Sequence, residues 1–188
     1  MLQPHLIKTI NQRVLSLLVK FSDQEFYERE VSRKLGISAG SANRALNELY
    51  SDGVVTRRRK GRMYFYSVES HDALLIELRK LVNLILIEPL IEELKKVSTR
   101  IILYGSCALG TDTSESDIDL FVVSTSKKGV SNLIGDFTFP TGFENIHVRP
   151  VIRTPVELLK GGESTRAFMD EVERGIVVWE KAAGESGV

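Results

Sequence analysis

The chain has 188 residues, with 25 Lys+Arg against 25 Asp+Glu, 43% apolar and 27% charged. These are ordinary globular proportions and exclude a disordered chain, a collagen and a disulfide scaffold. The lone Cys107 has no partner for an internal bridge, and no apolar run reaches the ~18 residues of a membrane span. The longest such run, around Leu81–Ile87, is interrupted by Asn83, and the opening residues lack a signal peptide's apolar segment. The expectation is a cytoplasmic protein with no membrane partner.

The zero net charge hides a split. Residues 1–70 hold 12 basic and 7 acidic residues, a surplus of five positive charges, and residues 71–188 carry the matching negative surplus. Opposite-sign halves suggest two modules with different partners: nucleic acid for the basic half, a metal ion for the acidic one.

In chain order, Leu6, Ile10, Val14, Leu17, Leu18 and Phe21 recur at helical spacing and predict a first helix. A second spans about Phe26 to Leu35 and ends at Gly36. Ser38 is placed to cap a third, Ala39 to Ser51, whose apolar stripe is Ala42, Ala45, Leu46 and Leu49. Val54–Thr56 and Met63–Val68 predict a β-hairpin whose basic tip is Arg57–Arg62, with Gly61 in the turn. Helix, helix, glycine turn, helix, hairpin is an order in which residues 5–70 resemble the winged helix-turn-helix superfamily. The resemblance implies a double-stranded DNA partner. Ser38, Ser41, Asn43, Arg44 and Asn47 would then face the major groove, and Arg57, Arg58, Arg59, Lys60 and Arg62 of the wing would face the backbone or minor groove.

Residues 71–98 predict a long helix with a seam of Leu74, Leu78, Leu81 and Ile85. Pro89 is expected to kink or restart it. The seam's apolarity suggests a homodimer, or packing against residues 1–21 of the same chain.

The stretch IILYGSCALGTDTSESDIDLFVV, residues 101–123, carries the chemistry. A buried strand runs into Gly105-Ser106, and a polar loop leads to Asp117-Ile118-Asp119-Leu120. Residues two apart in a strand share a face, so Asp117 and Asp119 project together. Two adjacent carboxylates repel unless a cation lies between them, and oxygen-only ligands suit Mg²⁺. Gly105 lets the backbone approach a phosphate, and Ser106 with nearby N–H groups can hold it. The Gly-Ser pair, the ten-residue spacer and the Asp-apolar-Asp-apolar strand resemble the DNA polymerase β-like nucleotidyltransferase superfamily, and particularly the minimal nucleotidyltransferases related to kanamycin nucleotidyltransferase.

That resemblance implies Mg²⁺-dependent transfer of a nucleoside monophosphate from a nucleoside triphosphate to an acceptor hydroxyl. Asp117 and Asp119 would be the catalytic metal ligands, and Gly105 and Ser106 would bind the nucleotide. Family members usually add a third carboxylate on a later strand. Here the candidate strand, residues 143–152, presents Asn145, His147 and Arg149 on the relevant face, and Glu144 has the wrong parity. The expectation is a nucleotide-binding domain of this fold whose nucleotide transfer is slow or absent in the isolated protein.

The tail predicts a helix from Thr154-Pro155, a break at Gly161-Gly162, a helix over Glu163–Arg174, and a final apolar run at Ile176–Trp179. The expected fold is α+β: a winged helix at 1–70, a linking or dimerisation helix at 71–98, and a nucleotidyltransferase domain at 99–182. That domain would be a small mixed sheet with helices on one face, and 183–188 would form a tail. The functional expectation is a DNA-binding regulator with a nucleotide-binding domain. The alternatives are an antitoxin-like nucleotidyltransferase that modifies or binds a small helical protein, and a catalytically inactive nucleotide sensor.

Overall fold

The structure, a computed structural model, describes residues 3–159 and 163–182. The first expected helix is two: α1 (Gln3–Leu6) and α2 (Ile10–Lys20). Thr9 causes the break. Its hydroxyl accepts the Gln12 N–H and the Gln12 side chain returns the bond to the Thr9 N–H, a capping box that starts α2 afresh. Val14, Leu17 and Leu18 of α2 are fully buried.

Strand β1 (Phe26–Tyr27) precedes α3 (Glu28–Leu35), so α3 starts two residues later than its periodicity suggests. Phe26 and Tyr27 pair with a later strand instead of joining the helix. Gly36 ends α3 at φ +60°, a conformation that favours glycine. Helix α4 (Ala39–Ser51) has the expected bounds, and Ser38 caps it by accepting the Ser41 N–H at 3.1 Å. Strands β2 (Thr56–Lys60) and β3 (Met63–Ser67) close a three-stranded antiparallel sheet in the order β1-β3-β2. The basic run is not a hairpin tip. Arg57, Arg58, Arg59 and Lys60 are strand residues opposite Tyr66, Phe65, Tyr64 and Met63, so their side chains alternate between two faces.

Helix α5 (Ala73–Leu94) starts at Asp72, whose carboxylate accepts the Leu74 and Leu75 N–H groups. It runs unbroken through Pro89, against expectation. The missing proline N–H removes one helical bond, but buried Ile85, Leu86, Ile87, Leu90 and Ile91 flank it on both sides and hold the helix in place. The predicted seam is not one buried stripe. Leu74 is 80% exposed and Leu81 40%, whereas Ile85 is buried. Packing against α2 accounts for part of the helix's apolarity, and α6 and α7 also pack on it.

The second sheet joins β4 (Arg100–Tyr104), β5 (Ile118–Val123), β6 (Val148–Arg153) and β7 (Ile176–Glu180) in the order β6-β5-β4-β7. Only β5 and β6 run parallel. Its helices are α6 (Gly105–Leu109), α7 (Lys127–Asp136), α8 (Pro155–Leu159) and α9 (Glu163–Glu173), and α7 has no counterpart among the expected elements. Alternation decides the layers. Ile101, Leu103, Ile118, Leu120 and Val122 face the main core with α5, while Ile102, Tyr104, Phe121 and Val123 face Phe168, Met169 and Val172 of α9. Helices therefore cover both faces, not one. The main core is continuous from Val14 of α2 to Val122 of β5. The expected break at Gly161-Gly162 and the expected tail at 183–188 lie outside the described residues.

Candidate functional site

β4 ends at Tyr104 and α6 begins at once with Gly105 at φ +70°. The antiparallel register sets Tyr104 opposite Asp119. A Cβ on residue 105 would lie 2.7 Å from Asp119 Oδ2, so only glycine leaves room for that carboxylate at the helix start. Buried Ile118 and Leu120 lock the register of β5, and Asp119 between them turns to the opposite side. Asp117 stands one residue before the strand, and its carbonyl accepts the Cys107 thiol at 3.4 Å. Both carboxylates and Ser106 are half-buried. The four residues picked out by the sequence motif are thus gathered at one end of β4 and β5.

The parallel register of β5 and β6 puts Arg149 beside Asp119. Its Nε lies 3.0 Å from Asp119 Oδ1, but off the line a hydrogen bond needs, and the buried Oδ1 accepts no hydrogen bond. Burial, first, raises the Asp119 carboxyl above its ordinary range. Arg149 opposes that shift, and repulsion from Asp117 and from Glu171 of α9 adds to it. Burial also raises the Tyr104 hydroxyl, with Asp119 as the next cause.

Arg149 occupies the strand position beside the carboxylate pair where a third acid would complete the site. Glu144 is no substitute, because its carboxylate accepts the Gly142 N–H at 2.9 Å and backbone bonds hold it below the usual carboxylate range. Among the described residues no group of three or more His, Cys, Asp or Glu is arranged to hold a metal ion. Asp117 and Asp119, with the orphaned Oδ1, fit a single hard cation that keeps several waters; they do not fit a two-metal centre.

On the N-terminal module, the predicted nucleic-acid residues are not all free, and those of β2 alternate between two faces. Asn43 donates to Glu28 at 2.6 Å, and Asn47 bonds Asn43 while accepting from Arg57 and the Tyr66 hydroxyl. Ser38 and Ser41 are joined as a cap, and Arg44 is exposed. Arg57 lies between the rings of Tyr50 and Tyr64, 4.1 and 4.5 Å from their centroids. Lys60 pairs with Glu25, Arg58 lies 3.8 Å from the same carboxylate, Arg59 bonds the Gly61 carbonyl, and Arg62 is exposed.

A cluster that sequence reasoning missed joins the two modules. Lys20 of α2 is buried and donates to Asp112 Oδ2 at 2.7 Å and to Asn83 Oδ1 at 2.8 Å. Asn83 donates in turn to Asp112 Oδ1 and to the Cys107 carbonyl, both at 3.0 Å. Buried Arg79 ties α5 to the carbonyls of Val19 and Gly110. The signals were visible: Asn83 breaks an apolar run and Lys20 ends an apolar helix. Neither shows its partner, because those lie 24 to 92 residues away in the chain. Burial pushes the Cys107 thiol, in the same cluster, up to about 12.

Comparison with curated proteins gives no match. Among solved structures, reduced HlyU from Vibrio cholerae N16961 aligns at 26% identity over 39% of this chain and 77% of its own, with a TM-score of 0.34. A second HlyU structure from the same organism aligns at 25% identity over 40% and 83%, also with a TM-score of 0.34. Residues 84–173, from the middle of α5 to the end of α9, match the family model for the nucleotidyltransferase domain, and all four motif residues lie inside the match.

Proposed function

We propose that this protein binds an Mg²⁺-complexed nucleoside triphosphate at Gly105, Ser106, Asp117 and Asp119, and double-stranded DNA through a winged helix at residues 1–70. The observation that carries the nucleotide reading is the pair Gly105–Asp119: a glycine without which Asp119 Oδ2 has no room, and on the same carboxylate a buried Oδ1 that accepts no hydrogen bond although Arg149 Nε lies 3.0 Å from it. A divalent cation held there by Asp117 and Asp119 would neutralise phosphate charge. Ser106, whose hydroxyl has no partner among the described residues, would donate to a phosphate oxygen. Arg149, 70% exposed, is free to leave Asp119 and pair with a phosphate. With an arginine in place of a third acid, the acceptor hydroxyl has no carboxylate base, and such help is worth ~10²–10⁴-fold. Transfer by the protein alone is therefore slow or absent. Titration of nucleoside triphosphates with and without Mg²⁺ tests the reading, and affinity indifferent to Mg²⁺ refutes it.

The DNA reading is supported by the surplus of positive charge in residues 1–70 and by exposed Arg44, Arg58, Arg59 and Arg62 on one module. A homodimer is proposed through the apolar groove between α5 and the edge strand β7, where Leu81 and Val177 remain exposed. Sedimentation showing only monomer at micromolar concentration removes it. A small helical protein is the alternative occupant of the groove.

A further inference from the structure

Gly105, Ser106 and Asp117 belong to one segment, which leaves β4 and returns to β5. Its second half, from Thr111 to Ser116, is polar and has no sheet or helix partner of its own. Within it the Thr113 N–H donates to the Ser116 hydroxyl at 3.0 Å and the Ser116 N–H to the Thr113 carbonyl at 3.1 Å, a local turn that fixes nothing outside itself. The side-chain anchors from outside come from α2, the turn after it, and α5. Arg79 donates to the Gly110 carbonyl at 2.9 Å, and Asn83 to the Cys107 carbonyl at 3.0 Å. Lys20 donates to Asp112. Asp23 accepts the Ser114 N–H at 2.9 Å and the Ser114 hydroxyl at 2.6 Å, across 91 residues of chain.

These anchors decide where Asp117 stands, because nothing holds its side chain. The Asp117 carboxylate accepts no hydrogen bond among the described residues. It lines a polar cavity of about 260 Å³ together with Gln24 and Lys34 of the N-terminal module, so it has open space on that side. Its place therefore depends on its backbone, which is held at two points. The Asp117 carbonyl accepts the Cys107 thiol at 3.4 Å, and three residues earlier Ser114 is gripped by Asp23. Asp23 uses one carboxylate oxygen on the N–H and the other on the hydroxyl, which fixes orientation as well as distance. Lys20 is the buried part of the same hold, and Asp23 is the exposed part. Removing Asp23 leaves no buried charge behind, so its role can be separated from the stability of the fold.

We propose that Asp23 of the N-terminal module is a positioning residue for the nucleotide site: it holds Ser114, through Ser114 the backbone that leads to Asp117, and so the Asp117 carboxylate at the place where it shares a cation with Asp119. The role rests on the nucleotide reading above, and it makes that site incomplete without the N-terminal module. Charge and clasp act in opposite directions here. As a bare negative charge, Asp23 repels a triphosphate, and its removal tightens binding. As a clasp, it orders residues 111–117 in advance. Its removal makes the cation pay for that ordering, which weakens the Mg²⁺-dependent part of binding and leaves the Mg²⁺-free part alone. The sign of the effect thus tells the two apart.

The test is calorimetric titration of the full chain with ATP, with and without Mg²⁺, joined to amide hydrogen exchange without nucleotide. Asp23→Ala should lower Mg²⁺-ATP affinity about 5-fold, the worth of one hydrogen bond, and leave Mg²⁺-free affinity unweakened. Asp23→Asn loses the same charge but keeps an oxygen that can accept, so it should recover part of that loss. Adding Ser114→Ala to Asp23→Ala should cost nothing more, because the bond they share is already gone. Exchange over residues 111–117 should quicken in Asp23→Ala. Asp23 is exposed, so the circular dichroism of its variants should match the parent. The proposal is overturned if Asp23→Ala binds Mg²⁺-ATP as tightly as the parent or more tightly, if Mg²⁺-free affinity falls equally, or if exchange over 111–117 is unchanged. A parent with no Mg²⁺-dependent gain overturns the nucleotide reading itself, whereas a gain that Asp23→Ala keeps in full overturns the positioning role alone.

Discussion

The molecule carries two sets of charged groups out of bulk water, and they are treated differently. At the seam, Lys20 and Asp112 are both buried, 2.7 Å apart, and Asn83 bonds each of them. At the end of β4 and β5, Asp119 is half-buried with a like charge nearby, and its one cationic neighbour is misaligned for a hydrogen bond. A buried ion pair with its hydrogen bonds satisfied holds structure together. A carboxylate left under-partnered destabilises its own fold and is kept for a ligand that supplies the missing charge.

The largest expected effect breaks the first set. Lys20→Met leaves Asp112 buried without its cation and should cost about 3–5 kcal/mol in denaturant unfolding. Adding Asp112→Asn should recover a large part of that loss. A cost below about 1 kcal/mol would place the seam charges in water and erase the contrast.

The second set should behave oppositely. Asp117→Asn and Asp119→Asn should each abolish the Mg²⁺-dependent gain in nucleotide affinity while leaving the protein folded. For Asp119 the sign follows from its raised carboxyl. Its stabilising contribution is complete below the unfolded-state pKa and is lost as pH rises through the higher folded-state value. Metal-free Asp119→Asn should thus melt above the parent at pH 7–8, and the gap should close as pH falls through the ordinary carboxylate range. A melting temperature below the parent at pH 8 would mean that the pair with Arg149 outweighs burial.

A smaller effect belongs to the exposed charges of the N-terminal module. Arg58→Ala and Arg59→Ala should weaken duplex binding and flatten its salt dependence by ~0.9 for each phosphate no longer neutralised, with little change in stability. Unchanged affinity and slope in both variants count against the wing as a DNA-binding element. The smallest effect is chemical. With its thiol at about 12 and no exposure, Cys107 should resist alkylation at pH 8 until the chain unfolds. Rapid labelling of the native protein would show that the seam opens.

Much of this was legible along the chain because it is local. Ser38 and Gly36 mark the ends of α4 and α3 through caps that span a few residues. The Gly-Ser turn and the Asp-Ile-Asp run place four site residues at one end of two adjacent strands, because strand periodicity and a single turn suffice for that. Local signals also misled. Phe26 and Tyr27 have helical spacing yet pair with β3, and Pro89 lies inside a helix whose burial outweighs one missing bond.

The sequence by itself determined most of the elements (though not β1 or α7), the alternation that buries Ile118 and Leu120, and the placing of Asp117 and Asp119 at one strand end. Each depends on residues within one turn or one strand pair. Tertiary structure decided what surrounds those carboxylates: Arg149 set beside Asp119 by the parallel β5–β6 register, and Lys20 joined to Asp112 across 92 residues. It also packed α9 on the second sheet face and closed a polar cavity between the two modules. Pairings of that kind depend on which surfaces meet once apolar faces are buried, and a one-dimensional pattern carries no record of strand order or helix docking.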